Sequence, residues 1–367
     1  MGFRSHPLPF LWPLAAAGAA GATSWDIFER NLRFFDKAIE DDHPPPPDWT
    51  TPNRVILELD SMRLRDFSGV GSGGVPVLID APYAGHSATI ADFGPGQSLV
   101  ATLLANGLGR VLVTDWKPAT PEMRDFDIDT YLSEINVVVD DLGGRVALVG
   151  LCQGGWMSAM YAARFPGKVA ALVLAGSPID THAGSGPIKR LAHGLGPDFY
   201  ADMVAANGGL MPGRLMLSGW KSMHPERQYF QKYVDLYEHL DDADYVARAE
   251  HFARWYENAL DLPGRYYLQA INDLFIDNRF ARGEFVGLGR KLSLSEITCP
   301  AYLLAGTEDD ITPAAQVFAA RRLLGTPPEQ ITAQTVPGGH IGLFMGSGTL
   351  RNAWPDIAHW LTDRVRG

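Results

Sequence analysis

The sequence predicts an α/β fold: a mostly parallel sheet covered by helices on both faces, with a helical insertion. Three observations carry this expectation. Short apolar runs alternate with stretches of helical period as far as about residue 180. The alternation stops over residues 181–296, where Tyr, Trp, Met and charged residues cluster. It resumes from residue 297 to the C-terminus.

The elements follow in order. Residues 27–39 set Ile27, Phe28, Leu32, Phe35 and Ile39 on one side of a short helix. Four prolines, Pro44 to Pro47, force an extended chain and close an N-terminal arm and linker of residues 1–50. Strands are expected at 75–80, 110–114, 145–149 and 169–174, and helices at 98–105, 127–142 and 154–164. In the second helix Ile128, Leu132, Ile135 and Val139 recur at helical spacing. The strands read as continuous apolar runs, as strands buried on both faces do. Within the insertion, 229–240 and 245–260 have helical character. After it come a strand at 301–305, a helix at 314–324, a strand at 330–336 and a helix at 350–365. The core is therefore residues 51–180 with 297–367, and residues 181–296 form a cap over the C-terminal edge of the sheet.

Composition narrows the function classes. The chain has 367 residues, 46% hydrophobic and 20% charged, which suits one globular domain with a large insertion. Its formal charge is −11, with no Lys/Arg block, which argues against nucleic acid or an anionic membrane surface as a partner. The two cysteines, Cys152 and Cys299, have no Cys or His neighbour at metal-ligand spacing, so neither a metal site nor a cofactor is expected. At the N-terminus, Arg4 and His6 precede an apolar stretch with Ala17-Gly18-Ala19 near its end, the pattern of a secretion signal. Pro7, Pro9 and Pro13 interrupt that stretch, which is too short to span a bilayer, and a segment docking on the domain is the other reading.

Four motifs carry chemistry. Gly150-Leu151-Cys152-Gln153-Gly154 stands directly after a strand and before a helix, the position of a nucleophile elbow. There the sulfur of Cys152 rises above the sheet edge at a helix N-terminus, which favours a thiolate. The Gln153 N–H faces the oxyanion of a tetrahedral intermediate. Gly306-Thr307-Glu308-Asp309-Asp310-Ile311-Thr312-Pro313 follows a late strand and offers the acid. The spacing to Pro313 selects Asp309 over Asp310 and Glu308; a solvated capping turn is the plain alternative. Pro337-Gly338-Gly339-His340 follows the last strand and offers the base, His340. Nucleophile, acid, histidine is the chain order of the α/β hydrolases. Ala81-Pro82-Tyr83-Ala84-Gly85-His86 follows the first strong strand, where that fold places its second oxyanion donor. Tyr83 N–H is the first choice and Ala84 N–H the second, with His86 contacting substrate or orienting the loop. Cys299, before Pro300, reads as an inert core residue. A free Cys152 favours a reducing, cytoplasmic compartment, with secretion as the alternative.

These residues resemble the intracellular polyhydroxyalkanoate depolymerases, relatives of the polyhydroxyalkanoate synthases. The likeness runs from about residue 75 to 360. It takes in the Ala81–His86 stretch, Val113-Thr114-Asp115-Trp116, the Cys152 elbow and Gly176-Ser177-Pro178-Ile179-Asp180-Thr181. It continues through Met211-Pro212-Gly213, Ser218-Gly219-Trp220, Asp261-Leu262-Pro263 and Tyr266-Tyr267-Leu268-Gln269, and ends at His340-Ile341-Gly342. The Gly154-Gly155 pair departs from the depolymerases, which often have proline after Cys-Gln, and is closer to synthases and dienelactone hydrolases.

The resemblance implies hydrolysis of poly-3-hydroxybutyrate-type esters through a covalent acyl-Cys152, with Asp309 and His340. Its implied partner is a polyester granule or an oligoester, and a homo-oligomer is compatible with it. A synthase or acyltransferase with the same triad is the alternative, and a small-ester hydrolase a third. A granule-binding protein with a degenerate site fits poorly, since all three catalytic residue types are present. The cap would supply aromatics to the acyl site, with Trp220, Tyr229, Trp255, Tyr266 and Tyr267 as candidates and Trp220 and Tyr267 foremost.

Overall fold

Eight strands build one sheet in the computed structural model, which describes residues 46–69, 73–83, 85–223, 235–236 and 238–365. The helix expected at 27–39, the signal-like stretch, Ala84 and Tyr229 lie outside the described residues. The strands are β1 (Arg54–Glu58), β2 (Met62–Asp66), β3 (Val77–Asp80), β4 (Val111–Trp116), β5 (Val146–Leu151), β6 (Val169–Ala175), β7 (Ala301–Gly306) and β8 (Ile331–Val336). Their spatial order is β1-β2-β4-β3-β5-β6-β7-β8. Strand β2 runs antiparallel to both neighbours, and the pairs from β4 to β8 are parallel. The crossovers bring the C-terminal ends of β3, β5, β7 and β8 to one edge of the sheet, where ligands bind in open α/β sheets.

Strands β5 and β6, Val-Ala-Leu-Val-Gly-Leu and Val-Ala-Ala-Leu-Val-Leu-Ala, are buried at every position. That burial explains why they read as unbroken apolar runs. The β1–β2 hairpin gave no comparable signal. In β2 only Met62, Leu64 and Asp66 are buried, while Arg63 and Arg65 alternate with them, and β1 is largely exposed. Half-buried edge strands carry charges that a search for apolar runs passes over.

Helix starts are fixed by side-chain caps. Ser98 accepts from Ala101 N–H to open α1 (Leu99–Ala105). Asp127 accepts from Thr130 N–H, and Thr130 reciprocates toward the Asp127 backbone, to open α2 (Ile128–Asp141). Helix α3 (Gln153–Arg164) is buried along its whole length except Arg164, which its run of Gly, Ala and Ser allows by letting the sheet approach closely.

The chain divides into two compact units. The larger comprises residues 48–216 and 259–367, and residues 217–258 belong to the other. These limits fall inside the 181–296 segment that the sequence marked as one cap. Within the larger unit, α4 (Pro187–Ala206) breaks at Gly196, whose φ of 74° is followed by Pro197. Leu210–Met211 then pairs antiparallel with Leu262–Pro263. A helix over Gly213–Met223, here α5, follows the first of these strands. In the smaller unit, α6 (Ala243–Tyr256) is capped by Asp242 and buries Trp255, whose ring meets Phe252 and Tyr256. Back in the larger unit, α7 (Gly264–Gln269) continues into a π-helical turn, Ala270–Ile276.

Two C-terminal helices differ from expectation. The stretch 314–324 forms two short helices, Ala314–Phe318 and Ala320–Leu323. The stretch 350–365 is interrupted at Ala353, between Ser347–Asn352 and Trp354–Val365. Pro355 has no N–H to continue a helix across that point, but suits the first turn of a new one. Among the described residues, no helix is long and apolar enough to cross a membrane.

The Asp127 cap generates a first prediction. Asp127→Ala should destabilise the protein by about 1 kcal/mol in urea unfolding, because it removes the side-chain acceptor that caps Thr130 N–H, while the backbone N–H at position 127 is kept. A change below ~0.3 kcal/mol would show that packing of the Ile128–Val139 stripe alone fixes the helix start.

Candidate active site

The site begins with a backbone that ordinary residues avoid. Cys152 has φ 52° and ψ −115°, a conformation that costs about 1–3 kcal/mol outside glycine. Its N–H donates to Ala175 O (2.9 Å), and its carbonyl accepts from Gly155 N–H (3.0 Å), so β6 and α3 hold the turn from both sides. Two glycines admit this packing. A Cβ on Gly154 would lie 2.0 Å from Asp80 O, and one on Gly155 would lie 1.7 Å from Ser177 Oγ. The Gly-Gly pair is thus required by how closely α3 approaches the ends of β3 and β6.

The parallel pairing of β7 with β8 sets Gly306 opposite Val336, so the loops after the two strands leave the sheet side by side. Glu308 N–H donates to Gly338 O (3.1 Å) across them. Asp309 is buried, whereas Glu308 and Asp310 are exposed. One Asp309 oxygen accepts from Ile311 N–H (3.0 Å) and Thr312 N–H (2.8 Å). The other meets His340 Nδ1 at 2.8 Å. The His340 ring stands edge-on to Phe344, and Gly176 leaves it room: a Cβ there would come within 3.2 Å of the imidazole.

His340 Nε2 is buried and has no hydrogen-bond partner among the described residues. Burial opposes a charge on this imidazole, but the Cys152 thiolate and the Asp309 carboxylate outweigh it and raise its pKa to about 10. Cys152 itself is half-buried, and no disulfide ties it to Cys299. Burial pushes the Cys299 thiol up to about 11, which keeps it protonated and unreactive at neutral pH.

The other candidates separate into two groups. Gln153 and Tyr83 lie at the elbow and at the loop after β3; among the described residues neither backbone N–H has an acceptor in the protein. His86 is half-buried in the same loop, two residues before a short 3₁₀ turn. Tyr267 is half-buried and packs edge-on against Tyr200, and Trp220 is half-buried in the smaller unit. Asp80 was not among the candidate residues, and Ser177 entered only as part of a longer stretch. Asp80 is fully buried at the end of β3, and burial pushes its carboxyl up to about 8 while Ser158 and Thr114 hydroxyls donate to it. An aspartate ending an apolar strand just before a glycine- and proline-rich loop is the only sequence signal it left. No group of three or more His, Cys, Asp or Glu side chains suited to a metal ion occurs among the described residues.

Residues 69–348 match the family described as "Protein of unknown function (DUF3141)". A poly(3-hydroxyalkanoate) polymerase subunit PhaC from Allochromatium vinosum is 30% identical over 296 residues, covering 79% of this chain and 80% of that protein. The chain belongs to both this family and that of the poly(3-hydroxyalkanoate) polymerase subunits. The PhaC subunit from Synechocystis sp. is 29% identical over 86% of this chain and 85% of its own length. The fold is also that of a carboxylesterase from Nitrososphaera gargenis, with a TM-score of 0.53 and 15% identity over 86% of this chain and all of that one. Family membership makes the chain an enzyme of the α/β-hydrolase type related to polyhydroxyalkanoate polymerases. The relatives carry polymerase names, and so reverse the order in which the motifs ranked depolymerase and synthase.

Two predictions follow from the electrostatics. Iodoacetamide at neutral pH should label Cys152 and leave Cys299 unmodified in the folded protein; equal labelling by peptide mapping would contradict the burial of Cys299. The His340 pKa lies near 10 when folded and near 6.5 when unfolded. Its stabilising contribution is therefore complete below about pH 6.5 and lost as the pH rises toward about 10. Cys152→Ala removes the largest group that raises this pKa. In that variant the His340 ring proton, followed by NMR, should titrate at lower pH, and unfolding stability should fall less over the same window. An unchanged His340 titration would refute the pairing.

Proposed function

We propose that this chain is a polyhydroxyalkanoate acyltransferase that carries a hydroxyacyl group on Cys152, with His340 as base and acid and Asp309 as its orienting carboxylate. The observation that carries the proposal is the Asp309–His340 hydrogen bond set beside an elbow cysteine, in a chain whose relatives are polymerase subunits. Cys152 transfers its proton to His340 and attacks the carbonyl carbon of a hydroxyacyl thioester. The carbonyl oxygen gains the electron pair and is met by the N–H groups of Gln153 and Tyr83. The intermediate collapses, the donor thiolate leaves and takes the proton from His340, and a thioester on Cys152 remains. An acceptor hydroxyl then loses its proton to His340 and attacks that thioester, forming an ester and regenerating the thiol. Asp309 holds the imidazole tautomer in which Nε2 faces the sulfur.

A sulfur nucleophile suits a thioester donor, because passing an acyl group from one sulfur to another conserves the thioester bond type. The step that separates polymerase from hydrolase is the identity of the second nucleophile, hydroxyl or water. On this reading Tyr267, which lies in the same unit as Cys152, is a candidate to contact the acyl chain. The polymer, as a granule or an oligomer, is the partner.

Supplying 3-hydroxybutyryl-CoA tests the assignment. Free CoA should appear together with ester-linked oligomer, and Cys152→Ala should lower the rate by roughly 10³-fold or more without unfolding the protein. CoA release with free 3-hydroxybutyrate as the sole product would make water the acceptor and favour the hydrolase. Release of oligomers from amorphous polyester granules, with the CoA ester left intact, would assign the depolymerase instead.

A further inference from the structure

Tyr266 lies at the junction of the residues proposed to bind the oxyanion. It is fully buried on α7, beyond the short strand pair that returns the chain from the insertion to the larger unit. Its hydroxyl accepts a hydrogen bond from Gln153 Nε2 (2.7 Å) and donates to Met157 Sδ (3.1 Å). Gln153 and Met157 are four residues apart, on one face of the first turn of α3. One hydroxyl therefore clamps the turn whose first N–H faces the oxyanion.

The same ring reaches the other donor. Tyr266 and Tyr83 pack with centroids 5.7 Å apart, and Tyr131 closes the cluster at 4.6 Å from Tyr266. The Tyr83 hydroxyl donates to Lys117 O (2.9 Å) and Asp261 O (3.3 Å), tying its loop to the segment that leads into α7. The α7 backbone is itself pinned: Tyr266 N–H donates to Phe126 O (3.0 Å), and Gly264 N–H to Gly209 O (2.9 Å). A Cβ on Gly264 would come within 2.3 Å of that carbonyl.

We infer that Tyr266 is a positioning residue: its hydroxyl, through the Gln153 side chain and Met157, fixes the start of α3 that carries the Gln153 backbone N–H, and its ring fixes the Tyr83 loop, at the separation an oxyanion needs. The inference rests on the acyl-transfer reading above. A misplaced donor weakens only steps that develop negative charge on oxygen, because oxyanion stabilisation depends on donors being preorganised.

This gives a test with an internal control. Acylation of Cys152 by p-nitrophenyl butyrate forms a sulfur–carbon bond, expels p-nitrophenolate and passes through an oxyanion. Alkylation of Cys152 by iodoacetamide displaces iodide at a saturated carbon and forms none. Tyr266→Phe should slow the acylation burst about tenfold or more while leaving KM and the alkylation rate within about twofold. Gln153→Met removes the same hydrogen bond from its other side and should reproduce the loss, so it carries the test if Tyr266→Phe fails to fold. The double variant should be no slower than the slower single variant, since one interaction is lost in all three.

Acylation within twofold of wild type in the single variants would overturn the inference. So would a parallel fall in alkylation, which would mean general damage to the elbow, or losses that multiply in the double variant. Wild-type protein that alkylates at Cys152 but never acylates would instead remove the acyl-transfer reading itself, and the inference with it.

Discussion

The backbone of Cys152 is the constraint from which the rest of the site follows. A residue with a side chain is held at φ 52°, and nothing local relieves the cost. The compensation is tertiary: Ala175 O from β6 on one side and the first turn of α3 on the other. For α3 to come that close, positions 154 and 155 must lack side chains, since Asp80 O and Ser177 Oγ occupy the space. The ends of β3 and β6 are thereby locked against the elbow, and the loops that leave those strands inherit fixed starting points.

The polar groups beneath the elbow follow the same logic. Burial makes the neutral form of Asp80 the favoured one well above the usual carboxylate range, although the two hydroxyls that donate to it pull the other way. Thr114, one of those donors, also accepts from Ala81 N–H at the root of the Tyr83 loop (3.0 Å). Gln153 and Tyr266 continue this layer of hydrogen bonds toward the insertion. Buried polar networks of this kind specify one arrangement because each member left unpaired is costly. A rigid layer suits a site whose chemistry relies on preorganised N–H groups.

The Asp309–His340 pair shows a different balance. His340 is almost fully buried, its side chain 10% exposed, and desolvation alone would favour the neutral ring. Two opposite charges, the Cys152 thiolate and the Asp309 carboxylate, overturn that preference. On the proposed acyl-transfer reading, acylation removes the charge at Cys152 that does most to raise the His340 pKa, which favours the neutral ring needed to deprotonate an acceptor hydroxyl.

Local pattern was enough for the parts of this molecule whose environment is uniform. Strands buried on both faces are apolar throughout, so residues 145–149 and 169–174 were legible, as was the strand–Gly150-Leu151-Cys152-Gln153-Gly154–helix sequence. The order of Cys152, the acidic turn and His340 along the chain was likewise enough to name the fold. What a linear pattern does not encode is which groups meet across it. The exposed β1–β2 hairpin mixes charges into its strands, and the break at Ala353 depends on where Pro355 falls within a helix. The setting of Asp309 against His340, with Asp310 left in solvent, comes from the parallel register that lays one loop beside the other. Asp80 gave no motif, and the stretches that hold Ser177 and Tyr266 did not show what those two side chains touch, because their roles arise from contacts at separations of tens to more than a hundred residues. Sequence determined the kinds of residue the site contains; tertiary packing decided which of them touch, since contact follows from the sheet order and the closeness of α3, which no local window contains.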